Sequence, residues 1–465
     1  MTRAHDVIIV GGGPAGIFAA RELAERSSLD VLLLEKGPPL DRRDCPRSTR
    51  GCALCAPCRL LSGWGGAGAF SDGKLTLTPD IGGSLGDYLD RTALEALIRH
   101  VDQIYLDFGA PDRLYGTDPG AFRDLQRQAA SADLIFVPAP VRHLGTEVCA
   151  EVLKALHERL RDRVDIRTGT RAEEILVENG AVHGVRVASG ETFRSRYVVV
   201  VPGREGAEWF RGQARGLGIG LDNNPVDIGV RVELPAVVLQ HLTDPLYEAK
   251  LIYYSRAFDD QVRVFCLCPH GEVVVENTGG LLTVNGHSYA TRKTEWTNFA
   301  LLVAKTFTRP FDRPIDYGKY VASLANMLAG GVLVQRLGDL RAGRRSTEKR
   351  LAKGVVRPTL PEATPGDLSL VLPYRHLVSI LEMLEALDRI APGVNSRHTL
   401  LYGVEVKFYS SRVDLSPALE TKVRGLYAAG DGAGVTRGLV QASASGVHVA
   451  RQILCREGLA AGGEG

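Results

Sequence analysis

Residues 6–36 read DVIIVGGGPAGIFAARELAERSSLDVLLLEK, and this stretch restricts the fold more than any other. Val7–Val10 is a continuous β-branched run, which suits a strand buried on both faces of a parallel sheet. Gly11, Gly13 and Gly16 follow at once as G-x-G-x-x-G, with Pro14 and Ala15 between them, and a helix opens there with Ile17, Ala20 and Leu23 on its apolar face. Gly11 permits a tight turn, Gly13 lets backbone approach a pyrophosphate, Gly16 lets helix and strand pack closely, and the helix N-terminus faces the phosphates. A second apolar run, Val31–Leu34, ends in Glu35 and Lys36, near the distance of about 20 residues at which an acidic side chain takes ribose hydroxyls. Strand, glycines, helix, strand and terminal Glu in register predict a dinucleotide site.

The chain has 465 residues, enough for two or three lobes. Lys plus Arg count 56 against 54 for Asp plus Glu, a formal charge of +2 that gives no global drive toward nucleic acid or acidic membranes. MTRAHDVIIVGGG has no signal-peptide pattern, and no window approaches the roughly 18 apolar residues of a spanning helix. The expectation is a soluble, cytoplasmic protein. Four of the eight cysteines, Cys149, Cys266, Cys268 and Cys455, lie in apolar runs and read as small buried residues.

Downstream, TKVRGLYAAGDGAGVTRGLVQASASGVHVAR reads as a strand ending at Ala429, Gly430 and Asp431, followed by a helix that includes Gln441. A strand-end Asp beside glycines offers a carboxylate to a ribityl or pyrophosphate group, while the helix dipole faces a flavin's electron-rich edge. The segment resembles the carboxy-terminal flavin motif of glutathione-reductase-like FAD oxidoreductases. RYVVVVPGREG, with Gly203, resembles the strand-and-glycine motif that returns the chain to their FAD domain, although Pro202 stands where Thr is common. SGWGGAGAFSDGKLTL brings Gly65 and Gly66 to a second flavin-contact loop. With VDIGVRVE, VFCLCPHGEVVVEN, VNGHS, TNF and LYGVEVKFYSSR, it makes nearly the whole chain similar to a bacterial and archaeal family of FAD-dependent dehydrogenases, one named more from sequence than from an established reaction. The resemblance implies an α/β fold: a Rossmann-like, glutathione-reductase-like FAD-binding domain with an inserted α+β substrate domain. Residues 1–90, 140–220 and 395–465 are expected in the FAD domain, 221–394 in the substrate lobe and 91–139 in a helical insertion. No second G-x-G-x-x-G follows a strand, so a separate NAD(P)H domain is not expected.

Cys45, Cys52, Cys55 and Cys58 crowd the loop after the Glu-ended strand, where disulfide reductases of the superfamily carry a redox pair. Their C-x6-C-x2-C-x2-C spacing departs from that pair. It leaves four readings open: a [4Fe–4S] cluster, a structural zinc, a redox disulfide and plain thiols.

A flavin enzyme needs a held substrate and one managed proton. His287 in a polar turn, Glu405 and Lys407 alternating on one strand face, and Lys74 on the glycine loop are the candidates, each with a bland reading as a surface or structural pair. Trp64 packs on the ring or fills the core. The basic run 341–357 has no interleaved aromatics, which argues for a solvated face and against nucleic acid. The expected function is FAD-dependent transfer of hydride or electrons between a small organic substrate and flavin, with ferredoxin or NAD(P)H as electron partner. The alternatives are a reductase of unsaturated lipid or polyprenyl chains, and a flavin-binding RNA-modification or scaffold protein.

Overall fold

A computed structural model describes residues 4–45, 55–278, 280–289, 292–307, 310 and 313–459. They divide into two compact units, the described residues of Met1–Asp112, Arg142–Asn224 and Tyr409–Gly465 forming the first and those of Arg113–Val141 and Pro225–Phe408 the second. In chain order the elements used below are β1 (Ala4–Val10), α1 (Pro14–Arg26), β2 (Val31–Leu34), α2 (Arg91–Asp107), α3 (Thr146–Leu160), β3 (Asp165–Arg167), β4 (Ala172–Glu178), β5 (Ala181–Val187), β6 (Thr192–Val200), β7 (Val226–Pro235), β8 (Gln261–Cys268), β9 (Glu272–Thr278), β10 (Leu281–His287), β11 (Trp296–Lys305), α4 (Tyr374–Ile390), β12 (Leu400–Lys407), β13 (Leu426–Ala428) and α5 (Leu439–Arg456). Among the described residues no helix is long and apolar enough to cross a membrane.

The first unit is built on a seven-stranded sheet of order β3-β2-β1-β6-β5-β4, with β13 also on β6. β3, β2, β1, β6 and β13 run parallel. Their apolar runs suit burial on both faces, and Val7, Ile8, Ile9 and Val198–Val200 are fully enclosed. β4 and β5 form an antiparallel hairpin. It turns at Asn179 and Gly180, both with φ near +50 to +72°, as a two-residue hairpin turn of matching twist requires. α1 packs against α5 so closely that a Cβ on Gly446 would stand 2.0 Å from the Ala15 carbonyl oxygen. Asp90 caps α2 by accepting from the Ala93 amide at 2.9 Å, and Leu94, Leu97, Val101 and Ile104 bury its apolar stripe.

The second unit carries an eight-stranded sheet in which β12, β7, β11 and β8 are adjacent and antiparallel. Along β7 the side chains alternate. Ile228, Val230 and Val232 join a core with Ile380, Met383 and Leu384 of α4, while Asp227, Arg231 and Glu233 project from the opposite face and are buried as well. β9 and β10 form a separate hairpin.

Two expected boundaries shift. β12 hydrogen-bonds into the sheet of the second unit, so residues 400–407 lie there and not with 409–459 of the first. The stretch 91–139 is not one insertion: α2 buries its stripe in the core of the first unit, and Arg113–Val141 belongs to the second.

Candidate cofactor site and a buried polar cluster

Three loops of the first unit meet at the carboxyl ends of its parallel strands, where open α/β sheets place their ligands. After β1, Gly11 has φ +121° and a Cβ there would fall 2.2 Å from the Val201 carbonyl oxygen, while a Cβ on Gly16 would fall 1.9 Å from that of Gly11. Both glycines are demanded by close approach. Gly13 caps α1 with no side-chain bond, followed by Pro14 at the first helical position, and Ala15 is buried. After β6, Gly203 has φ +63° and open space around its Cα. After β13, Gly430 brings its Cα against Ala15, and a Cβ on Gly432 would fall 2.6 Å from the Gly203 carbonyl oxygen.

Glu35 is buried and ties these loops together. Its carboxylate accepts from the amides of Gly12 at 2.7 Å, Gly37 at 2.8 Å and Gly63 at 2.9 Å, leaving one of about four lone-pair sites for a further donor. Lys36 pairs with Glu205; burial lowers its pKa and the Glu35 charge opposes that. Gly65 donates its amide to the Gly12 carbonyl at 2.8 Å and Gly66 lies against Gly13, so the second glycine loop rests on the first. Asp431 accepts from Thr436 Oγ1 at 2.8 Å, and burial raises its pKa. Gln441, on the first turn of α5, donates to the carbonyls of Pro79 and Ile81 at 3.2 and 3.0 Å; its Oε1 is buried with no hydrogen-bond partner.

The cysteine loop is anchored by Arg43. Its guanidinium donates to the carbonyls of Arg59, Leu60 and Trp64 at 3.1, 2.8 and 2.6 Å and lies over the Phe70 ring. Burial brings the Arg43 pKa down to about 10, against the opposing charges of Glu35 and Cys58. Cys45, Cys55 and Cys58 are partly buried and not in disulfides; Cys52 lies outside the described residues. Trp64 is fully buried, donates to the Leu153 carbonyl at 2.9 Å and meets His157 edge-on, so it fills the core. Lys74 pairs with Asp72 at 3.0 Å.

In the second unit Glu405 and Lys407 come together on β12, Lys407 Nζ lying 2.9 Å from Glu405 and 3.8 Å from Glu276. Glu405 also meets Arg231 at 3.3 Å. Arg231 is fully buried and donates to Asn298 Oδ1 at 2.8 Å, to the Cys266 carbonyl at 2.6 Å and to Cys268 Sγ at 3.2 Å. Burial disfavours its charge, but Glu405 and the two cysteines hold it firmly protonated. The Nδ2 of the enclosed Asn298 has no hydrogen-bond partner. β10 crosses this cluster at Gly286, where a Cβ would stand 1.9 Å from Arg231 Nη2. His287 is the next residue, its ring stacked on Tyr289 at 6.5 Å between ring centroids. Beyond Arg231, Glu233 accepts from Tyr402 Oη at 2.5 Å and from Thr359, and burial pushes its pKa up to about 7.

Part of the basic run is paired on the protein itself. Arg344 donates to the buried Asp339 at 3.0 Å and Arg341 to Glu385 at 3.0 Å.

Comparison with known proteins places both units. Residues 6–216 match the family described as FAD binding domain, and residues 225–408 match FAD-dependent protein, C-terminal domain-like. The chain is an FAD-dependent oxidoreductase. An uncharacterised protein of Clostridium beijerinckii is 27% identical over 476 aligned residues, covering 96% of this chain and 80% of the relative. Among solved structures, L-proline dehydrogenase from P. horikoshii is 12% identical with a TM-score of 0.43, covering 98% of this chain and 95% of its own. The 3-ketosteroid-Δ4-(5α)-dehydrogenase from Rhodococcus jostii RHA1 is 15% identical with a TM-score of 0.44, covering 96% of each chain.

The first unit of this flavoprotein fits an FAD. Gly203 and Gly438 have nothing within 4 Å of an added Cβ, and Gly13 has only the Gly66 Cα at 3.9 Å. α1 and α5 both begin without side-chain caps, so their first amides are available to anionic oxygens. The orphaned Gln441 Oε1 is an acceptor awaiting a donor such as a flavin imide N–H or a ribityl hydroxyl.

What sequence reading missed in this enzyme lies in the second unit. Arg231, Asn298 and Glu233 sit mid-strand, and only their occurrence in runs that are otherwise apolar or alternating marked them. Cys266 and Cys268 are a contact pair with Sγ atoms 3.9 Å apart, Cys266 is only partly buried, and Cys455 is exposed.

Proposed function

We propose that the flavoprotein oxidises or reduces a small polar organic substrate held by its second unit, with Lys407 as the group that holds or delivers the proton and Glu405 as the residue that orients it. FAD, when bound, accepts or supplies the electron pair. In this reading Gly11, Gly13, Pro14, Ala15 and Gly16 cradle the pyrophosphate, and Glu35 offers its last acceptor site to a ribose hydroxyl. Lys36, Gly65, Gly66 and Gly203 line the nucleotide path, while Asp431 and Gln441 meet the ribityl and flavin end. Lys74, paired with Asp72, and His287, next to Gly286 on β10, have supporting roles.

The observation that carries the reading is the charge arrangement on β12. Glu405 is shared between Lys407 at 2.9 Å and Arg231 at 3.3 Å, all three nearly excluded from water. A carboxylate divided between two cations fixes the ammonium's direction and leaves it protons to give. Burial at the low local dielectric strengthens its pull on a carbonyl or carboxylate. Arg231 meets five acceptor atoms on four residues, so positioning is its part.

The test is an anaerobic preparation in which FAD is identified after denaturation and the flavin band is followed on mixing with amino acids, hydroxy acids, NAD(P)H or reduced ferredoxin. With whichever compound bleaches or reoxidises the flavin, Lys407→Met is expected to cut the rate about 100-fold or more while FAD stays bound, in the range of general acid–base catalysis. An unchanged rate in that variant overturns the role of Lys407. Iron, sulfide and zinc analysis of the same preparation tests whether Cys45, Cys52, Cys55 and Cys58 hold a metal.

A further inference from the structure

We propose that Cys266 and Cys268 form a redox-active dithiol that exchanges with a small-molecule disulfide. Two residues apart on a regular strand, side chains share a face with their Cα atoms about 6.6 Å apart along the chain. Here the pairing of β8 with β11 shifts register between Phe265 and Cys268, and Cys266 takes φ +46°, a left-handed conformation uncommon for a residue with a side chain. That bulge turns the two sulfurs toward each other, to 3.9 Å.

Two charged side chains bond to the bulge. Glu248, almost fully buried and paired with Lys250, accepts the Leu267 amide at 3.1 Å. Arg231 donates to the Cys266 carbonyl at 2.6 Å and to Cys268 Sγ at 3.2 Å. A bulge that only redirected a strand would not need a buried carboxylate and a buried guanidinium around one residue. Backbone strain of this kind gathers where a side chain is being aimed.

The chemistry fits the pair. Arg231 favours thiolate at Cys268, the enclosed sulfur beside it, which is the form in which that cysteine resolves a mixed disulfide. The two cysteines differ in access, Cys266 being partly open and Cys268 fully enclosed, as expected of an attacking thiol backed by a resolving one. The Cys266 thiolate attacks one sulfur of an external disulfide R–S–S–R, forming Cys266–S–S–R and releasing R–S⁻. The Cys268 thiolate then attacks the Cys266 sulfur, closing the Cys266–Cys268 bond and releasing the second R–S⁻. The pair loses two electrons, the external disulfide gains them, and the two thiol protons end on the two R–SH products.

The tryptic peptide 264–292 contains these two cysteines and no other, so the full-length holoenzyme serves directly. The protein is exposed to oxidised glutathione or to dithiothreitol, quenched in acid, alkylated and mapped by mass spectrometry. The expected result is a peptide lacking two hydrogens and both alkyl groups after glutathione disulfide, and doubly alkylated after dithiothreitol. Cys268→Ser is expected to collect glutathione on Cys266, and Cys266→Ser to stay unmodified at Cys268. Modification at Cys266 is expected to outpace that at the exposed Cys455 by about tenfold or more. A wild-type peptide that remains doubly alkylated under glutathione disulfide, or a Cys455 that reacts faster than Cys266, overturns the proposal; the wild-type arm needs no variant to fold.

Discussion

The two sheets of this enzyme carry their chemistry in different places. In the first unit the parallel strands end in runs that are apolar on both faces, Val7–Val10, Val31–Leu34, Val198–Val200 and Leu426–Ala428, and the candidate cofactor-site groups are collected in the loops beyond them, largely as backbone amides and glycine Cα atoms. In the second unit the antiparallel strands β7, β11 and β12 carry Arg231, Asn298, Glu405 and Lys407 on the strands themselves, all four buried. A cofactor with a fixed phosphate chain can be met by backbone, which is the same in every residue. A substrate that differs from enzyme to enzyme has to be met by side chains.

The largest effect that would sharpen this contrast is at Arg231. Replacing one member of a buried ion pair leaves the other uncompensated, so Arg231→Met is expected to lower stability by about 3–5 kcal/mol in urea unfolding. The paired change R231M/E405L should recover most of that. Equal damage in the double variant would mean that Arg231 acts through packing and the cysteine bulge more than through Glu405.

The two units should also answer pH in opposite senses. Burial raises Glu233 to about 7 from an ordinary 4.5, against hydrogen bonds from Thr359 and Tyr402. The folded protein therefore keeps a proton that the unfolded chain releases, and stability present below pH 4.5 is lost as pH rises through about 7, by up to about 3 kcal/mol. In the first unit burial would raise Glu22 too, but hydrogen bonds from His100 and Arg451 and the charges of Arg451 and Arg26 bring it to about 2. Its contribution is present above pH 4.5 and lost as pH falls toward 2. Unfolding temperatures measured against pH for Glu233→Gln and Glu22→Gln should each flatten one side of the profile and leave the other; flattening of the same side by both breaks the contrast.

Smaller effects test the loops. A methyl group on Gly16 meets the Gly11 carbonyl oxygen at 1.9 Å, and Gly16→Ala is expected to cost about 1–3 kcal/mol of stability together with FAD retention. Gln441→Ala removes one hydrogen bond to the cofactor and is expected to weaken FAD binding by about 1 kcal/mol, roughly fivefold in Kd, in titrations of the apoprotein.

The same contrast explains what could be read beforehand. Gly11, Gly16 and Glu35 were legible because loop geometry fixes their spacing, whatever else the chain does. Glu405 and Lys407 were legible as a pair because strand alternation puts them on one face. Arg231 was not, since nothing local in VDIGVRVEL distinguishes an arginine that snorkels to water from one enclosed between strands; that depends on β10 crossing at Gly286, 55 residues away in the chain. The cysteine pair was misread for a related reason. C-x-C inside an apolar strand resembles ordinary core, and only the bulge against β11 turns it into a contact.

The first unit is closed by its last segment: β13 completes the parallel sheet beside β6, and α5 packs on α1. Ribosomes therefore release everything the second unit needs, residues 113–141 and 225–408, before β13, the last of the strands that flank β6, exists. The nucleotide-binding strand is made well before β13, yet its sheet stays unfinished until residues 409–459 emerge, and Asp431 and Gln441 arrive with them. Cofactor loading is thus a late event in the life of each chain, and a chain cut short before β13 has a second unit complete in sequence but lacks the strand, helix and polar groups that close the FAD site.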